Sequence, residues 1–158
     1  MKLDKYIITY NTLLISPIDE WHVKVYEFDG EFIVNKNIKQ LIKESCLYFG
    51  SSIDGRKQGT KDIINCEIKL PLIIEDSRNL IIFPTASYRK NDTIWIVYNN
   101  LLNYSMDKKS FTHLNFINNF EIDIPVRYNI VDNQMIRCIK LYNYIRRRKE
   151  VLLQEKVS

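Results

Sequence analysis

Apolar and polar positions alternate along the first third of the chain. This alternation predicts strands over residues 5–15, 22–28 and 31–35, because successive side chains of a strand point to opposite faces. Ser16-Pro17 ends the first run, and Asp29-Gly30 separates the second run from the third. An Asp-Gly pair between two alternating runs is a strong hairpin signal. The N-terminal third is therefore predicted to form antiparallel strands.

The middle of the chain changes from alternation to one helical stretch and then to short apolar runs. Residues 37–49 carry apolar side chains at helical spacing, which predicts a helix capped by Asn37 that ends at Gly50. Residues 50–60 hold three of the four glycines and are predicted to form a loop. Further strands, closed by Pro125, are predicted over residues 62–70, 72–76, 79–83, 92–98, 111–117 and 120–124.

A long amphipathic helix is predicted from about Ile130 to residue 155, with Asn129 as its cap. One face is apolar and is interrupted only by Lys149; its members are Val131, Met135, Cys138, Tyr142, Ile145 and Leu152. The opposite face is mostly basic and consists of Asn133, Arg137, Lys140, Tyr144, Arg147 and Arg148. The expected fold class is α+β, with an antiparallel sheet, one inserted helix and a C-terminal amphipathic basic helix. Residues 1–158 are expected to form a single domain, mainly β over residues 1–126.

The positive charge of the chain is concentrated in one segment. The net charge is +4, but residues 1–126 carry 15 Lys/Arg and 16 Asp/Glu, which gives −1. Residues 127–149 carry seven basic residues and one acid, which gives +6. A basic patch on a near-neutral body is typical of a protein that binds a polyanion. The alternative is a solvated helix face with no partner.

Residue patterns for catalysis or metal binding are missing from the sequence. The two histidines, His22 and His113, lie apart from other ligand residues, and the three cysteines form no Cys-x-x-Cys pair. Residues 50–57 place two glycines as a phosphate-binding loop does, but Arg56 and Lys57 replace the required Lys and Ser/Thr. We therefore expect no enzyme, cofactor or metal, and a nucleotide-binding enzyme is the less favoured alternative. The three widely spaced cysteines favour reduced cytosolic thiols, and no apolar stretch approaches the roughly 20 residues of a membrane span.

The glycine-rich segment has the composition of a surface that approaches DNA closely. Its hydroxyl and basic side chains are expected to face a narrow, A/T-rich minor groove, where arginine reads groove shape. The candidate contacts in this segment are Ser51, Ser52, Arg56, Lys57 and Lys61. The alternative is a connecting loop whose glycines only make turns.

Residues 45–60, with Ser-Cys, Phe-Gly-Ser-Ser, Gly-Arg-Lys and Gly-Thr in order, closely resemble the signature block of the ComK family of competence transcription factors. Two weaker blocks follow: Ile82-Phe83-Pro84-Thr85, and Ile124 to Asn129 with the helix after it. The resemblance covers about residues 40–149. The chain is identified as a short member or paralogue of this family.

This resemblance implies a cytoplasmic, nucleoid-associated regulator that binds A/T-rich double-stranded DNA as a homo-oligomer and acts with RNA polymerase. On the basic helix, the expected phosphate contacts are Arg137, Lys140, Arg147 and Arg148. Longer family members carry a tail that is read by a MecA/Clp-type adaptor, and this tail is expected to be missing here. The alternative function is a modulator that pairs with a full-length relative and binds DNA poorly alone.

Overall fold

The computed structural model describes residues 2–157, and the side chains of residues 2–154. Ten strands form two sheets. The strands are β1 (Lys2–Leu3), β2 (Thr12–Asp19), β3 (His22–Glu27), β4 (Gly30–Val34), β5 (Leu72–Glu75), β6 (Leu80–Pro84), β7 (Trp95–Val97), β8 (Leu101–Met106), β9 (Phe111–Phe116) and β10 (Glu121–Arg127). The helices are α1 (Ile38–Tyr48), α2 (Ile53–Ile64) and α3 (Tyr128–Val157), with a 3₁₀ turn at Tyr98–Asn100. The predicted α+β class is confirmed.

The larger sheet has seven strands in the order β1-β4-β3-β2-β7-β6-β5, and the smaller has three in the order β10-β9-β8. All pairs are antiparallel except β1 with β4. The predicted Asp29-Gly30 hairpin is confirmed, since Glu27 pairs with Gly30 at the β3–β4 turn. None of the described helices is long and apolar enough to cross a membrane.

The period-two pattern of the larger sheet divides its side chains between two hydrophobic clusters. Along β5, Leu72 and Ile74 join one cluster and Ile73 joins the other. The first cluster includes the buried face of α1, whereas the second includes α3 and the inner face of the smaller sheet. The larger sheet is therefore the middle layer, and α1 and α3 lie on opposite faces of it.

Helix α1 forms where the periodicity predicts it. The Asn37 side chain accepts a hydrogen bond from the Lys39 backbone N–H at 2.9 Å, as expected of an N-cap. The helix ends before Gly50, whose φ of +85° is a conformation that costs glycine little. Both predicted ends of this helix are correct to within one residue.

The predicted loop over residues 50–60 is wrong, because most of it is helix α2. Ser52 caps this helix, and its Oγ accepts from the Gly55 N–H at 3.0 Å. Gly55 and Gly59 lie inside the helix without positive φ, so they are not turn residues. Helix α2 contacts α1, β5 and α3 and thus lies beside the β5 edge of the sheet.

Several strand boundaries also differ from the prediction. Residues 5–11 lie outside the strands, residues 62–70 belong to the end of α2 and the segment after it, and β8 was not predicted. Pro17 and Pro125 end no strand. Pro17 lies in β2 beyond the residues that pair with β7, and Pro125 lies at a bulge in the edge strand β10, so neither removes a required ladder hydrogen bond.

Helix α3 begins at Tyr128, two residues before the predicted start, so Asn129 lies inside the helix and is not its cap. Most of the predicted apolar face is buried, including Val131, Cys138 and Ile145. Leu152 is 58% exposed, so it does not pack on the sheet, and the alternative that it packs against a second subunit stays a prediction. Lys149 can occupy a position on this apolar face because its Nζ donates hydrogen bonds to Asp76 O and to Asn79 Oδ1 in the β5–β6 turn.

Candidate nucleic-acid interface

The N-terminus of α2 is built from closely packed small residues. Ser52 Oγ caps the helix, and a Cβ added to Gly55 would lie 3.1 Å from this oxygen and 3.3 Å from Ser51 Oγ. A side chain at position 55 would therefore crowd the two serine hydroxyls, although the backbone angle there does not need glycine. Ser52 is exposed, and Ser51 is half-buried beside it.

Arg56 and Lys57 lie on the packed side of α2. The Arg56 Nε is buried without a hydrogen-bond partner among the described residues. Arg56 lies near Cys46 of α1, where burial raises the pKa of the thiol to about 11 and the arginine charge partly opposes that rise. The Lys57 Nζ lies 4.2 Å from the centre of the Tyr88 ring, a cation–π contact. Both cations therefore also take part in packing.

The C-terminal end of α2 is fixed by polar contacts. Thr60 is fully buried, and its Oγ1 donates to Pro71 O at 2.7 Å. Lys61 forms an ion pair with Glu67 at 2.7 Å, in which both side chains remain largely exposed. An exposed pair of this kind contributes little to stability, so Lys61 can exchange Glu67 for another anion.

Three adjoining clefts around α1 and α2 each carry three basic residues in their lining. The first shares Lys57 and Tyr88 with the second, and Lys39 and Ile53 with the third. Together the clefts have one acidic lining residue, Glu67, and seven basic ones: Lys36, Lys39, Lys43, Lys57, Lys69, Arg89 and Lys90. We call this surface the lysine clefts. Lys36 is partly neutralised by an ion pair with Glu44 at 2.8 Å.

Sequence reasoning found only Lys57 of these seven residues. The others come from the β4–α1 connection, from α1, from the segment after α2 and from the β6–β7 connection, and no one of these segments has a high net charge. Counting charge along the chain cannot detect a patch that only tertiary structure assembles.

The candidate residues of α3 divide into one anchored and three exposed cations. Arg137 is half-buried, and its Nη1 donates to Ile68 O at 2.9 Å and to Gln134 Oε1 at 3.1 Å. Lys140, Arg147 and Arg148 are exposed. Arg148 also lies over the Tyr144 ring, 5.6 Å from its centre.

The outward side of α3 is less purely basic than the sequence predicts. Ile136 and Ile139 are nearly half exposed there, and Arg146 is an exposed cation that the prediction did not include. The added arginine maintains the positive charge of this side. The two isoleucines add exposed apolar area to this side of α3, and apolar area makes no favourable contact with DNA phosphates.

Arg137 connects the two basic surfaces. Its hydrogen bond reaches the backbone of Ile68, and Ile68 and Lys69 both line the lysine clefts. Gln134, one turn earlier, is buried and donates to Lys69 O at 2.8 Å and to Pro84 O at 2.7 Å. Arg137 and Gln134 therefore join α3 to the segment that lines the lysine clefts.

Neither histidine lies in a metal-binding arrangement. Among the described residues no three His, Cys, Asp or Glu side chains are grouped to hold a metal ion. His113 bonds instead to Glu121 at 3.0 Å and to Asp123 at 2.7 Å, and these contacts raise its pKa. The helical form of residues 53–64 also argues against a phosphate-binding loop, because the N–H groups of Gly55 and Arg56 already bond to Ser52.

Comparison with known proteins agrees with the resemblance of the Ser45–Thr60 block. The sequence model of the ComK protein family matches residues 3–150. The chain belongs to the ComK family. It is 32% identical over 114 residues to the competence transcription factor of Bacillus subtilis strain 168, an alignment that covers 72% of this chain and 59% of that protein. The matched part therefore spans less than two thirds of this relative. No solved structure matches the chain.

Proposed function

We propose that this chain is a DNA-binding transcriptional regulator of competence-type genes. The observation that carries the proposal is the basic surface of the lysine clefts together with the exposed cations of α3, the helix that Arg137 joins to the segment lining these clefts. Such a surface attracts the phosphate backbone of a duplex whatever its sequence. The similarity to a competence transcription factor supports the choice of DNA as the polyanion.

The preference for A/T-rich boxes and the minor groove is proposed from the family resemblance together with the form of α2. Gly55 and Gly59 lie one turn apart and are exposed, and a Cβ at Gly59 would meet nothing within 4 Å. This part of α2 can approach a narrow groove closely. Asp54 and Asp62 on the same helix repel phosphates, so attraction must come from the lysine clefts and α3.

In this proposal the two surfaces act differently. Lys140, Arg147 and Arg148 contact phosphates and fix the position of the protein along the duplex. Lys57 and Lys61, with the hydroxyls of Ser51 and Ser52, lie beside the groove. Arg56 positions α2 from its packed side, and Arg137 holds α3 against the segment after α2.

Assembly with a second protein is supported by the end of α3. Val151, Leu152 and Leu153 are at least half exposed, and they follow Lys149, which hydrogen-bonds to the β5–β6 turn. We propose that this end takes part in a homo-oligomer. The exposed end of α3 also favours the second candidate function, a modulator that pairs with a full-length relative. RNA polymerase and a MecA/Clp-type adaptor are further proposed partners of the regulator.

The proposal is tested by salt-titrated binding to two duplexes of equal length, one with paired A/T boxes and the other G/C-rich. An autonomous regulator gives cooperative, A/T-preferring binding with a logarithmic salt slope of about −4 to −5, if four to six phosphates are neutralised. Weak binding without preference at physiological salt would refute it and favour the modulator.

The groove assignment has its own test. Lys57→Ala should reduce the preference for A/T-rich DNA more than general affinity, whereas Arg147→Ala with Arg148→Ala should weaken binding to both duplexes equally. An equal loss on both duplexes after Lys57→Ala would contradict the assignment of α2 to the groove.

A further inference from the structure

The first of the lysine clefts differs from its neighbours because its floor is apolar. It has a volume of about 180 Å³ and lies between the N-terminal turns of α1 and α2 and the segment around Tyr88. Ile38, Ile42 and Trp95 form the floor; all three are buried, and Trp95 is only 4% exposed. Ile53 and Tyr88 form the walls. An open apolar floor of this kind is a typical feature of a small-molecule site.

The rim of this cleft carries three positive charges and no negative one. Lys39, Lys57 and Lys90 line it, and no Asp or Glu does. Among the described residues none of the three lysines forms an ion pair with a carboxylate. An unneutralised group of lysines above an apolar floor favours an anion with an apolar body.

The polar atoms of the walls are already occupied. The Tyr88 hydroxyl donates to Leu70 O, and the ring packs edge-on against Trp95 with 4.9 Å between centres. Lys39 Nζ donates to Arg89 O at 3.0 Å and has two further protons, and Lys57 Nζ faces the Tyr88 ring. The cleft therefore offers a ligand apolar contact and positive charge, with ammonium donors but few acceptors.

We infer that this cleft binds a small apolar anion, a single aromatic ring bearing a carboxylate. The ring would lie on Trp95 and the isoleucines, and the carboxylate would lie between Lys39 and Lys57. The volume is below the roughly 300 Å³ at which sites for drug-sized ligands begin, which limits the ligand to about one ring. A bare phosphate, by contrast, would gain nothing from the apolar floor.

Lys90 contributes less than the other two lysines. It also borders a neighbouring cleft that contains Asp19, Glu20 and Asp92, so its charge is shared with these carboxylates. The inference therefore depends on Lys39 and Lys57.

Ligand binding has one consequence that rests on the proposed function. Lys39 and Lys57 also belong to the surface proposed for DNA, so a ligand carboxylate between them would compete with phosphates. A small apolar anion would then weaken DNA binding. The binding of the ligand itself is independent of DNA.

The test uses the indole N–H signals of the protein without DNA. The chain has two tryptophans, Trp95 on the cleft floor and Trp21 in the neighbouring cleft, and a Trp21→Phe variant assigns the two NMR signals. The probes are benzoate, its neutral analogue benzamide and inorganic phosphate. We expect benzoate to shift the Trp95 signal saturably, benzamide to bind about fivefold more weakly, and phosphate to leave this signal unchanged.

The charge requirement is tested with paired variants. Lys39→Gln with Lys57→Gln should reduce benzoate affinity about fivefold and leave benzamide affinity unchanged. The matched control is Lys108→Gln with Lys109→Gln, two exposed lysines of the β8–β9 turn, which should change neither. Equal affinities for benzoate and benzamide, a shift of Trp95 by phosphate, or a benzoate response that does not saturate would each overturn the inference. Because no DNA is present, such a failure would leave the proposed function untouched.

Discussion

Neutralising the exposed cations of α3 gives the most quantitative test of the proposed DNA interface. The triple variant Lys140→Gln, Arg147→Gln, Arg148→Gln removes three charges that form no ion pair among the described residues. None of the three side chains is buried, so the folded structure should not change. Lys140 and Arg147 are seven residues apart, about 10 Å along the helix axis, which lets the group span about three phosphates.

The magnitude follows from counterion release. Each lost phosphate contact reduces the logarithmic salt slope by about 0.9, so three contacts reduce it by about 2.7. Between 50 and 200 mM salt, the ratio of wild-type to variant affinity should therefore fall about 40-fold. The loss should be the same on A/T-rich and G/C-rich duplexes, because phosphate contacts carry no sequence information.

The assay is fluorescence anisotropy on a labelled duplex at four or more salt concentrations. The matched control is the triple variant Lys5→Gln, Lys108→Gln, Lys109→Gln, which removes the same net charge from exposed positions outside α3. If both triple variants change the slope equally, net charge rather than an α3 interface accounts for binding. An unchanged slope in the α3 variant, with unfolding in urea also unchanged, would refute the phosphate assignment outright.

Three further predictions concern the structures that support the interface. Ser52→Ala should lower the free energy of unfolding by about 1 kcal/mol through loss of the α2 cap, with Ser51→Ala as the control in urea denaturation. Gln134→Leu should cost about 1 to 3 kcal/mol in the same assay, because it removes the side-chain donor of Pro84 O and the shorter of the two side-chain bonds to Lys69 O. The pKa of His113 is raised in the folded state by its hydrogen bonds to Glu121 and Asp123. This pairing therefore stabilises the fold fully below the unfolded pKa of about 6.5, and the stabilisation is lost as the pH rises through the folded pKa. The stability advantage of the wild type over His113→Gln should therefore shrink between pH 6 and pH 8, and an advantage that grows with pH would contradict the role of the two carboxylates.

Periodicity predicted the elements that depend on a single buried face. The 3.6-residue pattern located α1, whose buried side chains include Leu41, Ile42 and Cys46, and most of α3. Alternation located most strands of the larger sheet. It was less accurate for β7, which is buried throughout and has no polar face to mark its ends.

Helix α2 was not predictable from the same signals because two glycines interrupt it. Each glycine in a helix costs roughly 1 kcal/mol relative to alanine, and Gly55 and Gly59 together are characteristic of a loop. Tertiary contacts reverse that preference: Ser52 caps one end, and the buried Thr60 bonds to Pro71 O near the other. These contacts join segments that no local pattern connects.

The resemblance to the ComK family identified the protein, but the residues that carry it are mostly structural. Each has a packing or backbone role: Ser45 accepts from the Ile8 N–H, Cys46 is buried, Gly50 has positive φ, Ser52 caps α2, Gly55 fits against two hydroxyls and Thr60 anchors Pro71. The block from Ser45 to Thr60 therefore builds the junction of α1 and α2. Exposed cations proposed to suit DNA, such as Lys39, Arg89 and Lys90, lie outside it. It follows that substitutions of the buried and small residues of the signature block should first reduce stability, whereas substitutions of the exposed lysine-cleft cations outside it should reduce binding to DNA and leave stability unchanged.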